Sequence, residues 1–116
     1  MNPYDKAHEL AREVARSVEY QGMIQAKEAV KADPGASRMM NDFERKQRVA
    51  YSLMQSGQEP TAEQLGELRT LADIMGQNSV LSAYLQADAR LGQLLNDIQR
   101  IILDAVSETR WQETED

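Results

Sequence analysis

The chain has 116 residues, no cysteine and a net charge of −6. This length suits one domain, and the absence of cysteine excludes disulfides, cysteine-ligated zinc and cysteine-held iron–sulfur clusters. The acidic balance disfavours binding to nucleic acid and to anionic membranes, unless a local basic patch overcomes the repulsion. No apolar run approaches the ~18 residues of a membrane span and no secretory signal opens the chain, so we expect a cytoplasmic protein without membrane insertion.

The composition predicts an all-α fold. Only six Gly and three Pro occur, whereas Ala, Leu, Gln, Glu and Arg, which lose little conformational freedom in a helix, are abundant. Aromatic residues make up 5% of the chain, fewer than a β-sandwich would use. We expect a small bundle of four to five helices. It would form a single helical domain at residues 1–108, followed by an acidic tail at 109–116 that frays.

The first third of the chain predicts two helices that meet at a bend. Asn2 is suited to cap a helix that begins at Pro3, and apolar residues then recur at helical spacing up to Val18. Ser17 and Gly22 lie near the expected break. The apolar face of the second helix is weaker than that of the first.

Two further helices are predicted in the middle of the chain. Asp33 caps the third helix, which starts at the following proline, and Phe43 is the only Phe in the sequence. We expect Phe43 to be the main core anchor of this helix. A loop at 56–62 follows, and Thr61 with Gln64 forms a capping-box pattern at the start of the fourth helix.

The last helix gives the strongest pattern in the sequence. From about Val80 to about Glu108 there is no Pro, and the predicted length is about 43 Å. Its apolar seam advances in steps of three or four and is wide enough for at least two neighbouring helices. Asp88 falls on the seam and has two interpretations. It is a polar residue that sets the register of a partner or binds it, or the seam splays into water at this position. The second interpretation is the simpler one. The members of the seam are Leu81, Tyr84, Asp88, Leu91, Leu95, Ile98, Ile102 and Ala105.

Few residues are suited to catalysis or to metal binding. His8 is the only histidine, and without a second one the single Asp-x-x-His pair that it forms with Asp5 does not make a di-iron site. Phosphate-binding glycine loops, nucleophile elbows and calcium loops are absent from the sequence. We therefore expect a protein that is not an enzyme and that holds no cofactor or metal.

A modest basic stripe lies on the predicted third helix. Its members are Arg38, Arg45 and Arg48, and their side chains are able to contact phosphates. More often such a stripe is solvated or pairs with acidic neighbours. Residues 51–116 supply those neighbours, because they carry eleven acidic and four basic residues.

A family likeness is spread over nearly the whole chain, as a set of helix-face patterns. The segments that carry it are NPYDKAHELAR at the start, EYQ at 19–21, AKEAVKADP at 26–34, Phe43 with Gln47, and NSVLSAYLQADARLGQLLNDIQRII at 78–102. Through them the chain resembles the YlbF/YmcA family of bacterial helical proteins, and within it the YheA-like branch.

The resemblance implies an all-α, often self-associated, non-enzymatic regulator of Gram-positive bacteria. Such proteins are linked to competence, sporulation, biofilm formation or an RNA-processing complex. Some relatives hold iron–sulfur clusters on cysteines, and this chain has none.

The leading hypothesis is therefore a protein-interaction module. We expect a homodimer, formed where the same surface of the last helix meets itself, that binds a larger protein partner. The alternative is an RNA-associated accessory protein that uses the basic stripe, although the acidic charge disfavours nucleic acid. The residues predicted to take part in interaction are Leu91, Leu95, Ile98, Ile102, Phe43 and Asp88.

Overall fold

A computed structural model describes residues 2–111. These residues form an all-α fold with a long C-terminal helix, as predicted, and contain no strand. Residues 112–116, most of the predicted acidic tail, lie outside the described part. The elements are α1 (Pro3–Ala15), α2 (Val18–Ala32), α3 (Pro34–Gln55), α4 (Ala62–Gln77), α5 (Ser79–Ala105) and a short 3-10 turn (Ser107–Thr109).

Local side-chain chemistry determines where each helix begins. A side-chain oxygen of the residue before each helix accepts a hydrogen bond from a backbone N–H of the first turn, which would otherwise lack a partner. The capping box of α4 is complete. The backbone N–H of Gln64 donates to the Thr61 hydroxyl at 3.1 Å, and the backbone N–H of Thr61 donates to the side-chain oxygen of Gln64 at 2.8 Å. The capping residues of the five helices are Asn2, Ser17, Asp33, Thr61 and Asn78.

The predicted bend in the first third of the chain is present and lies at Ser17, between α1 and α2. Gly22 does not contribute to it, because this glycine is inside α2. α5 ends at Ala105, slightly before the expected end near Glu108.

The main buried cluster is small and lies at one place in the molecule. It consists of Val30, Ala36, Met75 and Leu81, one residue from each of α2, α3, α4 and α5. Each lies where its helix approaches the next one along the chain, since α2 and α4 end there and α3 and α5 begin there. The partly buried residues that pack around this core are Met39, Met40, Phe43, Leu71, Val80 and Tyr84. α1 contributes no fully buried residue, and on its apolar stripe Leu10 is exposed while Val14 is half-buried.

Two pairs of helices extend outward from the core. α2 packs against α5 in the most extensive helix contact, and α3 packs against α4 in the next. The α2–α5 pair is antiparallel, because the end of α2 meets the start of α5 at Val30 and Leu81, whereas the start of α2 lies beside Leu94. α3 touches α5 much less, and these contacts occur near the core.

The overall shape is extended. The radius of gyration is 19.0 Å, whereas a compact chain of this length would have about 13 Å. The accessible surface is 9287 Å², compared with about 6,400 Å² expected for a compact monomer of this mass. The chain therefore exposes about 2,900 Å² more surface than a compact monomer would.

Phe43, the expected core anchor of α3, is only partly buried. Phe43 packs against the core but keeps part of its ring exposed, and the buried residues of α3 are the small Ala36 and Ala50. Phe43→Ala should lower the free energy of unfolding by about 2 kcal/mol, below the ~3–5 kcal/mol of a fully buried Phe. Urea denaturation measures this difference. A loss below ~0.5 kcal/mol would show that the ring does not contribute to the core.

Candidate protein-interaction surface

The outer part of α5 is apolar and uncovered. We call residues 95–106 the α5 end. α5 forms a groove with α2, and Asp97 is the last residue of α5 that lines it. Every residue from 99 to 111 is exposed. Ile101 is 70% exposed and Ile102 56% exposed, while Ile98 is half-buried. Soluble monomers seldom leave such an apolar band exposed to water, so we expect the surface of a partner to cover it.

The predicted interaction residues of α5 are not all equivalent in the structure. Leu91 and Ile98 are half-buried, and Leu95 and Ile102 are exposed at the outer part of the helix. Asp88 is also exposed, which fits the interpretation that the seam splays into water there. A contact of Asp88 with a partner stays a prediction.

Tyr84 occupies the place where α5 leaves the core. Burial raises the pKa of the Tyr84 phenol, and the carboxylates of Asp88 and then Glu44 raise it further. Glu44 belongs to α3, so this effect places the acidic side chains of two helices near the same phenol. The resulting negative potential lies at the inner end of the space between α3 and α5.

The raised pKa of Tyr84 predicts a loss of stability at high pH. The unfolded chain loses the phenolic proton near pH 10, whereas the folded chain retains it to higher pH. Between the two pKa values the unfolded state binds fewer protons, so the free energy of unfolding falls as pH rises. Below about pH 10 this contribution is fully present. The free energy of unfolding, measured by urea denaturation below and above about pH 10, should decrease less for Tyr84→Phe than for the wild type. Equal decreases for the two proteins would contradict the raised pKa of Tyr84.

An apolar groove between α3 and α4 was not predicted from the sequence. Its volume is about 600 Å³, and its residues come only from α3, α4 and the intervening loop. Two apolar stripes could have revealed it, since α3 continues past Phe43 to Met54 and α4 begins with Leu65 and Leu68. What the sequence did not predict is that no third helix of the described chain covers them. The lining residues are Glu44, Gln47, Arg48, Ala50, Tyr51, Met54, Pro60, Leu65 and Leu68.

The basic stripe of α3 is partly neutralised. The Arg45 guanidinium lies 3.7 Å from a carboxylate oxygen of Asp42, and the Lys46 ammonium lies 3.5 Å from the same oxygen. Lys46 also reaches Glu67 of α4, at 3.8 Å. Arg48 instead lines the apolar groove. Of the three arginines of the stripe, Arg45 therefore has an acidic neighbour on its own helix.

His8 is an exposed residue on α1. Within residues 2–111, no group of three or more His, Cys, Asp or Glu side chains is arranged to hold a metal ion. Across the same residues, no helix is both long and apolar enough to cross a membrane. The absence of a cofactor stays a prediction.

Comparison with known proteins identifies the family. Residues 4–107 match the family described as control of competence regulator ComK, YlbF/YmcA. The chain belongs to the YlbF/YmcA family. Among the relatives of the chain are the UPF0342 proteins of Streptococcus pyogenes serotype M5 (strain Manfredo) and serotype M6 (strain ATCC BAA-946 / MGAS10394). Each is 38% identical over 99 residues, which is 85% of this chain and 88% of the relative.

A solved structure shares the YlbF/YmcA fold of this chain. It is a chain of the crystal structure of Bacillus subtilis RicA in complex with RicF, with a TM-score of 0.64 and 18% sequence identity. The match covers 91% of this chain and 94% of that chain. At this level of identity the likeness concerns the fold.

Proposed function

We propose that this YlbF/YmcA protein is a non-enzymatic interaction module. In this proposal it forms a homodimer through the α5 end and acts as a regulator or accessory factor on a larger protein. The observation that carries the proposal is the apolar band from Leu95 to Val106, which no other helix of the described chain covers. The family description, control of a competence regulator, supports a regulatory role. The similarly folded chain comes from a complex of two proteins, RicA and RicF, which supports a role in protein assembly.

The excess surface of the chain is large enough to accommodate a permanent interface. A standard protein interface buries about 800 Å² on each partner, and obligate homodimers bury about 1,000–2,500 Å² on each. The single chain exposes about 2,900 Å² beyond the value for a compact monomer. A two-fold dimer is the commonest way in which identical chains cover such a surface.

Sedimentation equilibrium of the wild-type protein at micromolar concentration tests self-association. We expect a species of about twice the 13.1 kDa chain mass, because the exposed band should be buried between two copies. A single 13.1 kDa species with no dependence on concentration would rule out the dimer.

Affinity capture from the native cell tests the regulatory part of the proposal. The wild-type chain should retain a specific larger protein, identified by mass spectrometry, that an unrelated acidic helical bait of similar size does not retain. Salt-sensitive retardation of labelled RNA by the purified protein would instead favour the RNA-associated alternative. That alternative is weakened by the pairing of Arg45 with Asp42.

A further inference from the structure

We infer that the α5 end of each copy docks in the α3–α4 groove of the other copy. The inference rests on the proposed dimer and names the surface that receives the α5 end. The dimer would then be reciprocal, with two identical contacts related by the two-fold axis.

The α3–α4 groove lacks one helix to complete a packed unit. Its walls are apolar, yet Met54 is 57% exposed and Leu65 is 48% exposed. Two helices alone leave the side chains between them open on one side, and a third helix laid along the groove would cover them.

The groove continues the surface that α5 already covers near the core. On α3 the stripe runs from Phe43, which packs at the core, to Ala50 and Met54. On α4 it runs from Met75 at the core to Leu68 and Leu65. Leu81 and Tyr84 of α5 lie against the inner part of these stripes. Since the outer part has the same apolar character, an α5 helix from a second copy is a suitable cover.

The two surfaces agree in length. The α3 side of the groove runs from Glu44 to Met54, and the α5 end is helical from Leu95 to Ala105. Each segment is about 15 Å long at 1.5 Å per residue. One helical segment would therefore fill the groove without overhang.

The charges beside the two surfaces are complementary. Arg48 lies on the wall of the groove. Asp97 and Asp104 are seven residues apart on α5 and so lie on one flank of the α5 end. Arg100 lies between these two aspartates on the same flank, within one turn of each, and can face Glu44 on the wall of the groove. Opposite charges at the edge of an apolar contact select its orientation and favour association.

Paired substitutions in the groove test the inference. Met54→Asp with Leu65→Asp should raise the dimer dissociation constant at least ~100-fold, because the interface would bury unpaired charges. The matched control is Val49→Asp with Ile74→Asp. These residues lie outside the groove on the same two helices and are 53% and 48% exposed, close to the 57% and 48% of the test pair. The control should change the dissociation constant by less than ~3-fold.

Chemical crosslinking supplies a second test, since the wild type has no cysteine. A chain carrying Leu65→Cys is mixed with a chain carrying Ile102→Cys, and a short bismaleimide reagent is added. We expect the mixed pair to crosslink in preference to two copies of the Ile102→Cys chain.

The possible results separate this inference from the proposed dimer. A wild-type dimer that the groove substitutions leave intact, with Ile102→Cys chains crosslinked to one another, would show that the α5 ends pair directly. That result would overturn the groove contact and leave the dimer standing. A wild-type monomer at all concentrations would overturn both.

Discussion

A chain carrying Ile98→Asp and Ile102→Asp is expected to sediment as a 13.1 kDa monomer at the micromolar concentrations at which we expect the wild type to sediment as a dimer. Ile102 is already 56% exposed within the single chain, so Asp there costs little unless a second copy covers it. In the dimer both carboxylates would be buried without a charged partner. Burying an unpaired charge costs several kcal/mol of binding free energy at each of the two contacts. We therefore expect the dissociation constant to rise by at least ~1,000-fold.

The matched control is Asn96→Asp with Gln99→Asp. It adds the same charge to exposed polar positions of the same helix, so the dimer should persist. Circular dichroism of both variants would show whether each remains helical. The melting temperature of the wild type should also increase with protein concentration, because association stabilises the folded state. Dimerisation unchanged by the Ile98 and Ile102 substitutions would exclude the α5 end as the contact.

Leu81→Ala should produce the largest loss of stability of any single truncation in the chain, about 3–5 kcal/mol. Leu81 is fully buried and is one of only four residues that form the core cluster among residues 2–111. Its truncation would leave a cavity at the point where α2, α3, α4 and α5 meet. Because a small domain has only about 5–15 kcal/mol of stability in total, much of it would be lost.

Urea denaturation at a fixed protein concentration measures this loss, since the apparent stability of a dimer depends on concentration. Leu10→Ala is the matched control, because it makes the same change on α1, the helix that contributes no buried residue. The control should cost less than ~1 kcal/mol. Equal losses for the two variants would show that the core is not centred on Leu81.

The sequence alone determined the helices and most of the positions at which they begin. Asn2, Asp33 and the Thr61–Gln64 pair act within one helical turn, and such local interactions can be read from neighbouring residues. The apolar period likewise predicted the long α5, whose observed bounds are Ser79–Ala105. The family likeness was visible in the same patterns, and the match over residues 4–107 confirms it.

Only the tertiary structure decided which apolar residues become buried. Phe43 and Leu81 both lie on apolar stripes, yet Leu81 is fully buried and Phe43 is not. A helical stripe shows which side of a helix seeks cover, but it does not show which other helix supplies that cover or how far along the helix the contact extends. The α3–α4 groove and the uncovered α5 end arise from this difference. The four helices meet at one point. Farther out, the α3–α4 groove and the α5 end have no covering helix in the described chain.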